Sequence, residues 1–315
     1  MKILITGGTG NLGSRLLVPL IQRGDRVVLF DQNPRPHANT AEFKQAAFVN
    51  GDLGNRDDVL GAVRDYGIES IFHLGAVLSS NAEAQPVLAW RANMDGISNV
   101  HEAARLFGVK RLIFSSTVAS YGAGLADPLP IDAPQWPVSL YGVTKVAGER
   151  LGVYYHHRFG IDFRAVRLPA VVAPHGAAGG VSAYCSRAFE ESFLNGCYEF
   201  YVKPTTRVPM LYIADAVRAL LKLHDAPEAK LSRRVYNIAG INPSAKEMAT
   251  SIRSRLPQVR ITYKPDPPRV AILESWPHRI DDSEAKRDWG WQATYDLERM
   301  TEEIIEVFHH EPSGE

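Results

Sequence analysis

The sequence predicts an α/β fold: a doubly wound parallel sheet, followed by a smaller mixed α/β lobe. Near-continuous apolar segments alternate with amphipathic helical segments through the first half of the 315 residues. A glycine-rich turn joins the first apolar segment to the first helical one. After about residue 170 the elements are shorter and interrupted by prolines. Strands covered on both faces are apolar along their whole length, so the first observation favours a parallel sheet between two helical layers.

Hydrophobic periodicity predicts the elements in order. Strands are expected in the first half at residues 2–6, 26–30, 47–50, 70–74, 111–115 and 162–168. Helices are expected between them at residues 11–23, 85–107 and 140–158. The second half predicts helices at 182–195, 213–225, 244–255 and 296–309 and short strands near 198–202, 234–238 and 259–263. We therefore expect a domain at residues 1–170, to which some later segments return, and a substrate lobe with the C-terminal helices at 171–315.

Composition excludes several classes of protein. Thirty-five Lys and Arg balance 35 Asp and Glu, so the chain lacks the basic excess typical of nucleic-acid or anionic-membrane binding. No apolar run reaches the roughly 18 residues of a membrane span, and the N-terminus reads as a strand rather than a targeting segment. Cys185 and Cys197 are too few for a disulfide framework and lack metal-site spacing. We expect a cytoplasmic protein without metal, membrane or nucleic-acid partners.

The turn after the first strand has the spacing of a dinucleotide-binding loop, Gly7-Gly8-Thr9-Gly10-Asn11-Leu12-Gly13. Such a loop needs glycine for a tight turn, for close backbone approach to a pyrophosphate, and for packing of the following helix. Asp31 ends the next strand, where its carboxylate can accept hydrogen bonds from ribose hydroxyls and repel a 2′-phosphate. This predicts a Rossmann domain that binds NAD. Arg35 leaves NADP open, and a purely structural turn is the alternative.

Tyr141 and Lys145 form the candidate catalytic pair. Residues four apart share a helix face, so the phenol and the ammonium can converge on one site. A phenol has a pKa of about 10, and a nearby ammonium together with a positive nicotinamide ring would lower it toward the working range of a base. Ser115 and Thr117 end the preceding strand, where open α/β sheets bind ligands, and Thr117 is placed to hydrogen-bond a substrate oxygen. The alternative is a hydroxyl-rich strand end beside a solvated helix.

Together these motifs resemble the extended short-chain dehydrogenase/reductase family, which includes nucleotide-sugar epimerases and dehydratases. The resemblance covers nearly the whole chain and rests on the glycine loop, Asp31, Asp52-Leu53, HLGA (73–76), Asn93, SST (115–117), YGVTK (141–145) and RLP (167–169). It implies that Asp52 and Leu53 flank the adenine and that Val171 lies near the nicotinamide. It also places Thr117, Tyr141 and Lys145 at the family's catalytic positions.

The loop and the resemblance together define the expected site. The residues expected to contact NAD are Gly7, Gly10, Asn11, Leu12, Gly13, Asp31, Asp52, Leu53, Leu74, Gly75, Ala76, Asn93, Ser115, Tyr141, Lys145 and Val171. The residues expected to contact substrate are Ser79, Thr117, Ser182 and Arg207.

The second half is similar to one branch of the family, the short-chain L-threonine 3-dehydrogenases. The similar stretches are residues 141–169, 203–219, 274–291 and 295–303. Two stretches differ from that branch. Residues 180–184 read Gly-Val-Ser-Ala-Tyr, where the branch has a glycine, two threonines and an aspartate, and residues 168–170 read Leu-Pro-Ala instead of Tyr-Pro-Gly. Residues 167–172 are similar to a neighbouring group that oxidises sugar acids such as erythronate.

Other candidate residues have structural alternatives. The guanidinium of Arg207 can bind an anionic group in a bidentate manner, and a structural salt bridge is its alternative role. Cys185 is interpreted as a small buried residue rather than a nucleophile. Trp276, Trp289 and Trp291 are interpreted as core aromatics of the C-terminal lobe, and stacking on a substrate is the alternative.

The sequence thus predicts an NAD-dependent enzyme that oxidises a secondary alcohol of a small anionic substrate. The substrate would be a 3-hydroxy amino acid such as L-threonine, or a sugar acid or hydroxy acid. A nucleotide-sugar 4-epimerase or dehydratase with tightly bound NAD is the first alternative, and a cofactor-binding regulator without catalysis is the second. A homodimer is the expected assembly.

Overall fold

The computed structural model describes residues 1–34, 42–176 and 179–310. Its strands are β1 (Lys2–Thr6), β2 (Arg26–Asp31), β3 (Ala47–Asn50), β4 (Ser70–His73), β5 (Arg111–Thr117), β6 (Asp162–Leu168), β7 (Ala170–Val172), β8 (Cys197–Phe200), β9 (Met210–Tyr212), β10 (Val235–Asn237) and β11 (Arg260–Tyr263). Seven of them form one sheet in the order β10-β6-β5-β4-β1-β2-β3. All neighbours in this sheet are parallel, which confirms the predicted fold class.

Helices cover the sheet and build the second half. They are α1 (Asn11–Gln22), α2 (Arg56–Tyr66), α3 (Ser79–Ala84), α4 (Pro86–Trp90), α5 (Gly96–Leu106), α6 (Leu140–Phe159), α7 (Tyr184–Asn195), α8 (Ile213–Asp225), α9 (Ala245–Arg255), α10 (Pro267–Glu274), α11 (Ser283–Trp289) and α12 (Leu297–His310). The helix predicted at 85–107 is divided by a π-helical turn, Arg91–Asp95. The sequence does not predict α2, α3, α10, α11, β7 and β9. Within the described residues, no helix combines the length and the apolar character needed to cross a membrane.

Successive residues of β1 explain why the sheet is covered on both faces. Ile3 and Ile5 pack into the core that α1 and α8 share, whereas Leu4 packs into the opposite core with α2 and α5. The chain moves outward from β1 through β2 to β3, then returns to place β4 on the other side of β1. A crevice opens where such a sheet reverses its strand order, beyond the carboxyl ends of the strands.

Segments of the second half of the chain pack in two separate apolar cores. Two short parallel pairs, β7 with β9 and β8 with β11, lie in a separate apolar core with α7, α9 and α12. In contrast, β10 is the edge strand of the large sheet, and α8 packs on that sheet's core. Trp289 and Trp291 also pack in this sheet core, which corrects their predicted place in the C-terminal lobe. The domain division near residue 170 stays a prediction.

A buried ion pair joins α6 to β6. The carboxylate of Glu149 accepts hydrogen bonds from Arg167 Nε at 2.8 Å and Nη2 at 2.7 Å. The side chains are 0% and 4% exposed, so water does not replace either partner. The same carboxylate accepts from Ser116 Oγ on β5 and from Gln135 Nε2. This pair therefore fixes the helix that carries the catalytic candidates to two central strands.

Removing the carboxylate of Glu149 should lower the stability of the folded protein. We expect Glu149→Gln to lower the free energy of unfolding by about 3–5 kcal/mol, because it leaves the buried Arg167 cation without its negative partner. Glu247→Gln is the matched control, since its pair with Arg207 is half-exposed and should contribute about 0–1 kcal/mol. Urea unfolding of both variants measures the difference. Equal losses would contradict the importance given to the buried pair.

Candidate active site

A cavity of about 440 Å³ opens at the carboxyl ends of the central strands, a volume typical of small-molecule sites. Its wall contains most of the residues predicted to contact NAD: Gly7, Gly10, Asn11, Leu12, Gly13, Asp31, Asp52, Leu53, Leu74, Gly75, Ala76, Ser115, Tyr141 and Val171. Three of the four predicted substrate residues also line it: Ser79, Thr117 and Ser182. Asn93, Lys145 and Arg207 do not line it.

The glycine loop forms a bare backbone cradle at one side of the cavity. Gly7 has a φ of 67°, a left-handed conformation that favours glycine, and a Cβ there would lie 2.8 Å from the Gly75 backbone. A Cβ on Gly13 would collide with the carbonyl oxygen of Gly7. Gly10 lies directly before the first residue of α1, whose first turn lines the cavity. This geometry fits a pyrophosphate bound at a helix N-terminus, as a dinucleotide cofactor requires.

Two carboxylates lie at the end of the cavity where the sequence predicts the adenosine. Asp31 Oδ2 accepts a hydrogen bond from the backbone N–H of Thr9 at 3.2 Å, which fixes the carboxylate beside the glycine loop. Asp52 Oδ1 accepts from the Gly54 N–H at 2.9 Å, and its Oδ2 pairs with Arg91 at 3.0 Å. Arg35, on which the NADP alternative depended, lies outside the described residues.

Asn93 supports the cavity wall from behind, and its predicted contact with the cofactor stays a prediction. Its amide accepts from the Val77 N–H at 2.8 Å and donates to the Val77 carbonyl at 3.1 Å. Val77 itself lines the cavity. Asn93 lies in the π-helical turn, a local distortion that often occurs at functional sites. Its role is to hold the segment after β4 in place.

Tyr141 and Thr117 converge on the wall from two elements. Ser139 caps the N-terminus of α6 by accepting from the Gly142 N–H at 3.2 Å, so Tyr141 lies in the first turn of the helix. Thr117 ends β5, and its Oγ1 accepts from the Ala119 N–H at 3.1 Å. The hydroxyl proton of Thr117 therefore remains available to a ligand oxygen. Burial raises the pKa of the Tyr141 phenol above its usual value.

Lys145 lies behind the wall rather than in it. Its Nζ donates to the Ser115 carbonyl at 2.7 Å and lies 5.6 Å from the centre of the Tyr141 ring. Burial lowers the pKa of Lys145 to about 7, although the charge of Glu149 opposes this shift. The expectation that the ammonium and a nicotinamide ring together lower the pKa of Tyr141 stays a prediction. The ammonium is bonded to a carbonyl, and desolvation of the phenol dominates.

The substrate end of the cavity is built from neutral residues. Ser79 Oγ accepts from the Val181 N–H at 3.0 Å, which ties the start of α3 to the loop before α7. Ser182 lies on the same loop, and Trp276 contributes to the wall although it also packs in the lobe core. The sequence predicts Trp276 as a core aromatic, with stacking on a substrate as the alternative. Its place at the cavity could not be read from the chain because no local pattern connects it to Ser182.

Arg207 does not line the cavity, and its predicted contact with the substrate stays a prediction. Its guanidinium donates to the Asn242 carbonyl at 2.8 Å and to Glu247 Oε1 at 2.8 Å. The hydrogen bond from Arg207 lowers the pKa of Glu247 to about 2. This is the structural salt bridge that the sequence left as the alternative. Cys185 is buried, and burial raises the pKa of its thiol, which suits a packing residue.

Several wall residues were missed by the sequence. They are Phe30, Gln32, Gly51, Val77, Leu78, Ala92, Ser116, Leu168, Pro169, Ala170, Ala173, Gly176, Gly180, Ala183, Ser186, Ile213 and Trp276. Most of them follow a strand or belong to the segment 168–186, so the carboxyl end of β6 was the signal that could have found them.

The chain matches the model of one protein family and is similar to several known proteins in sequence and in structure. The model of the NAD dependent epimerase/dehydratase family matches residues 3–239. A mitochondrial L-threonine 3-dehydrogenase of Bos taurus is 37% identical over 313 residues, 98% of this chain and 82% of that protein. Among solved structures, the holo form of a GalE-like L-threonine dehydrogenase from Cupriavidus necator has a TM-score of 0.91 at 34% identity, covering 98% of this chain and 100% of that one. A UDP-glucose 4-epimerase from Thermotoga maritima has a TM-score of 0.86 at 24% identity, covering 98% and 99%, and shows the fold alone.

The buried lysine should make stability depend on pH. Between about pH 7 and pH 10 the unfolded chain binds a proton on Lys145 that the folded protein lacks, so the free energy of unfolding gains a term that rises with pH. We expect the stability of the wild type relative to Lys145→Met to rise by up to about 1.4 kcal/mol per pH unit in this window. Urea unfolding without cofactor measures it, and exposed Lys246→Met is the control. A difference that stays constant with pH would contradict the burial of this ammonium.

Proposed function

This chain belongs to the NAD-dependent epimerase/dehydratase family, and from that premise we propose that it oxidises the secondary alcohol of a small anionic substrate. It is an NAD-dependent enzyme. One observation carries the proposal: Thr117 and Tyr141 line the same cavity as the glycine loop, with Lys145 directly behind them. Relatives named L-threonine 3-dehydrogenases favour a 3-hydroxy amino acid, and a sugar acid or hydroxy acid is the other substrate class.

We assign the chemistry to three side chains. When bound, NAD supplies the acceptor for a hydride. Thr117 donates its hydroxyl hydrogen bond to the reacting oxygen of the substrate, and Tyr141 accepts the proton of the alcohol. Lys145 in its charged form favours the phenolate, because an ammonium near a phenol stabilises its ionised state. The Ser115 carbonyl holds the ammonium on the side of α6 that carries Tyr141.

The epimerase or dehydratase alternative requires a site for a nucleotide diphosphate. The glycine loop and the N-terminus of α1 can hold one diphosphate, that of NAD, and a second diphosphate needs further positive charge, for which proteins use arginine or lysine. The described residues of the cavity wall include neither arginine nor lysine. The single carboxylate of a small acid does not require an arginine or lysine, because hydroxyl and N–H donors can hold it. The charge of the wall therefore favours oxidation of a small acid over chemistry on a nucleotide sugar.

We further propose a homodimer. Two neighbouring helices, α4 and α6, expose large apolar side chains: Val87, Leu88, Trp90, Val143, Tyr154 and Phe159. Val87 is 83% and Trp90 49% exposed, and contiguous exposed apolar surface marks an association site. The cytoplasm is the proposed location, since both described cysteines are free thiols, as a reducing compartment favours.

Replacing the base tests the proposed function. We expect a panel of L-threonine, other 3-hydroxy amino acids, aldonic acids and nucleotide sugars to show NADH formation with a small acid and the wild-type enzyme. Tyr141→Phe should lower kcat by about 10²- to 10⁴-fold, since the proton acceptor is lost, while the Kd of NAD changes by less than about threefold. Tyr154→Phe, an exposed tyrosine of the same helix, is the control. A variant that keeps more than about a tenth of wild-type kcat would show that another group is the base.

The dimer is tested by light scattering of the purified protein. The wild type should have the mass of two chains, and the double variant Val87→Glu, Trp90→Glu the mass of one, because buried carboxylates oppose association. Leu194→Glu is the control, since Leu194 is also exposed but lies on α7. A wild-type protein that is monomeric at micromolar concentration would refute the dimer.

A further inference from the structure

The charges of the cavity wall are confined to its adenosine end. Among the described residues that line it, Asp31 and Asp52 alone carry a charge. Asp31 ends β2 and Asp52 follows β3, whereas Thr117 ends β5. Three strand spacings separate β2 from β5 in the sheet, which is about 14 Å at ~4.8 Å per spacing. Neither carboxylate can therefore pair with a group on a substrate held at Thr117 and Tyr141.

The two carboxylates on the elements around Tyr141 are engaged elsewhere. Glu83 accepts a hydrogen bond from the first backbone N–H of α6 at 2.8 Å. Glu149 is buried in its pair with Arg167. Neither belongs to the cavity wall, and residues 179–186 contain no acidic side chain. An ammonium held at this end would lose its hydration without gaining a negative partner, which is strongly unfavourable.

Hydroxyl donors, in contrast, are available at the same end. The oxygen of Ser79 already accepts from the Val181 N–H, so its own proton is left to donate. Ser182 Oγ has no hydrogen-bond partner within the part of the chain that the structure describes. Hydroxyl groups are suitable donors to a carboxylate, and such charge-assisted bonds are stronger than neutral ones. The methyl group of Ala183 and the ring of Trp276 make the adjoining wall apolar.

We propose that the substrate is a hydroxy acid without an ammonium group, whose carboxylate is held by Ser79 and Ser182, and that Ala183 excludes the amino acid. This inference rests on the oxidation proposed above and narrows its substrate class. The carbinol carbon gives a hydride to NAD⁺ and its hydroxyl gives a proton to Tyr141, so the products are the keto acid and NADH. The wall selects the hydroxy acid because it has hydroxyl donors for a carboxylate and no acidic partner for an ammonium.

A matched pair of substrates isolates the ammonium. L-Threonine and (2S,3R)-2,3-dihydroxybutanoate differ only in an ammonium or a hydroxyl at C2, with the same carbinol and carboxylate. We expect the wild type to show a kcat/KM for the dihydroxy acid at least about 100-fold above that for L-threonine, as a site without a partner for a buried polar group rejects it. (R)-3-Hydroxybutanoate and the four-carbon aldonic acids complete the series.

Three variants of the wall test what causes the preference between the two substrates. Ala183→Asp should lower the preference for the dihydroxy acid at least about tenfold, because it supplies the missing carboxylate. Ala183→Asn has the same shape without the charge and should leave the preference nearly unchanged. Ser182→Ala should raise KM more than it lowers kcat. Calorimetric titration of each acid into Tyr141→Phe with NADH bound measures affinity separately from turnover, and the order of affinities should match.

The outcomes separate this inference from the proposed function. If L-threonine is the better substrate of the wild type, the inference is overturned while oxidation of a small acid stands. The inference is overturned in the same way if Ala183→Asp and Ala183→Asn change the preference equally. If the protein binds NAD but no acid of the series reduces it, the proposed function itself fails, and the inference fails with it.

Discussion

The hydrogen bond from the Lys145 ammonium to the Ser115 carbonyl is the contact on which the site depends. It joins α6, the helix of the candidate base, to the end of β5, the strand of Thr117. The burial that makes this bond possible also lowers the pKa of Lys145 and raises that of Tyr141. In the protein alone the pair is therefore biased toward its uncharged forms. A positive charge added beside Tyr141 would favour its phenolate, because a nearby opposite charge stabilises the ionised form of a group.

Further side chains fix the positions of the elements around the hydrogen bond between Lys145 and Ser115. Glu149 lies one helical turn beyond Lys145, opposes the fall in its pKa, and binds Arg167 on β6. Asn93 fixes Val77 on the opposite side of the cavity through both its backbone N–H and its carbonyl. None of these side chains lines the cavity. They determine where the surface residues lie, which is how a rigid sheet positions a site made of loops.

The sequence predicted the sheet and the cofactor half of the cavity well, for physical reasons. Strands such as β1 and β5 are apolar throughout because both faces are covered, and the glycine loop has a spacing that its backbone geometry requires. In the substrate half it predicted Ser79, Thr117 and Ser182, which line the cavity, but it missed other residues of the wall. Arg207 was chosen for its charge, but its distance from the cavity follows from the pairing with Glu247 on α9, which no local pattern encodes. Trp276 reaches the cavity through the packing of the C-terminal lobe, which is equally non-local.

Tyr141 should be neutral in the free protein and become a base only with cofactor bound. Ultraviolet difference titration of tyrosinate, taken as wild type minus Tyr141→Phe, tests this directly. Without NAD, we expect no difference signal near neutral pH, because burial raises the pKa of the phenol. With NAD bound, the signal should move at least about two pH units lower, as expected for a phenol beside new positive charge. Titrations that coincide with and without NAD, or a tyrosinate already present near neutral pH in the free protein, would contradict this role of the cofactor charge.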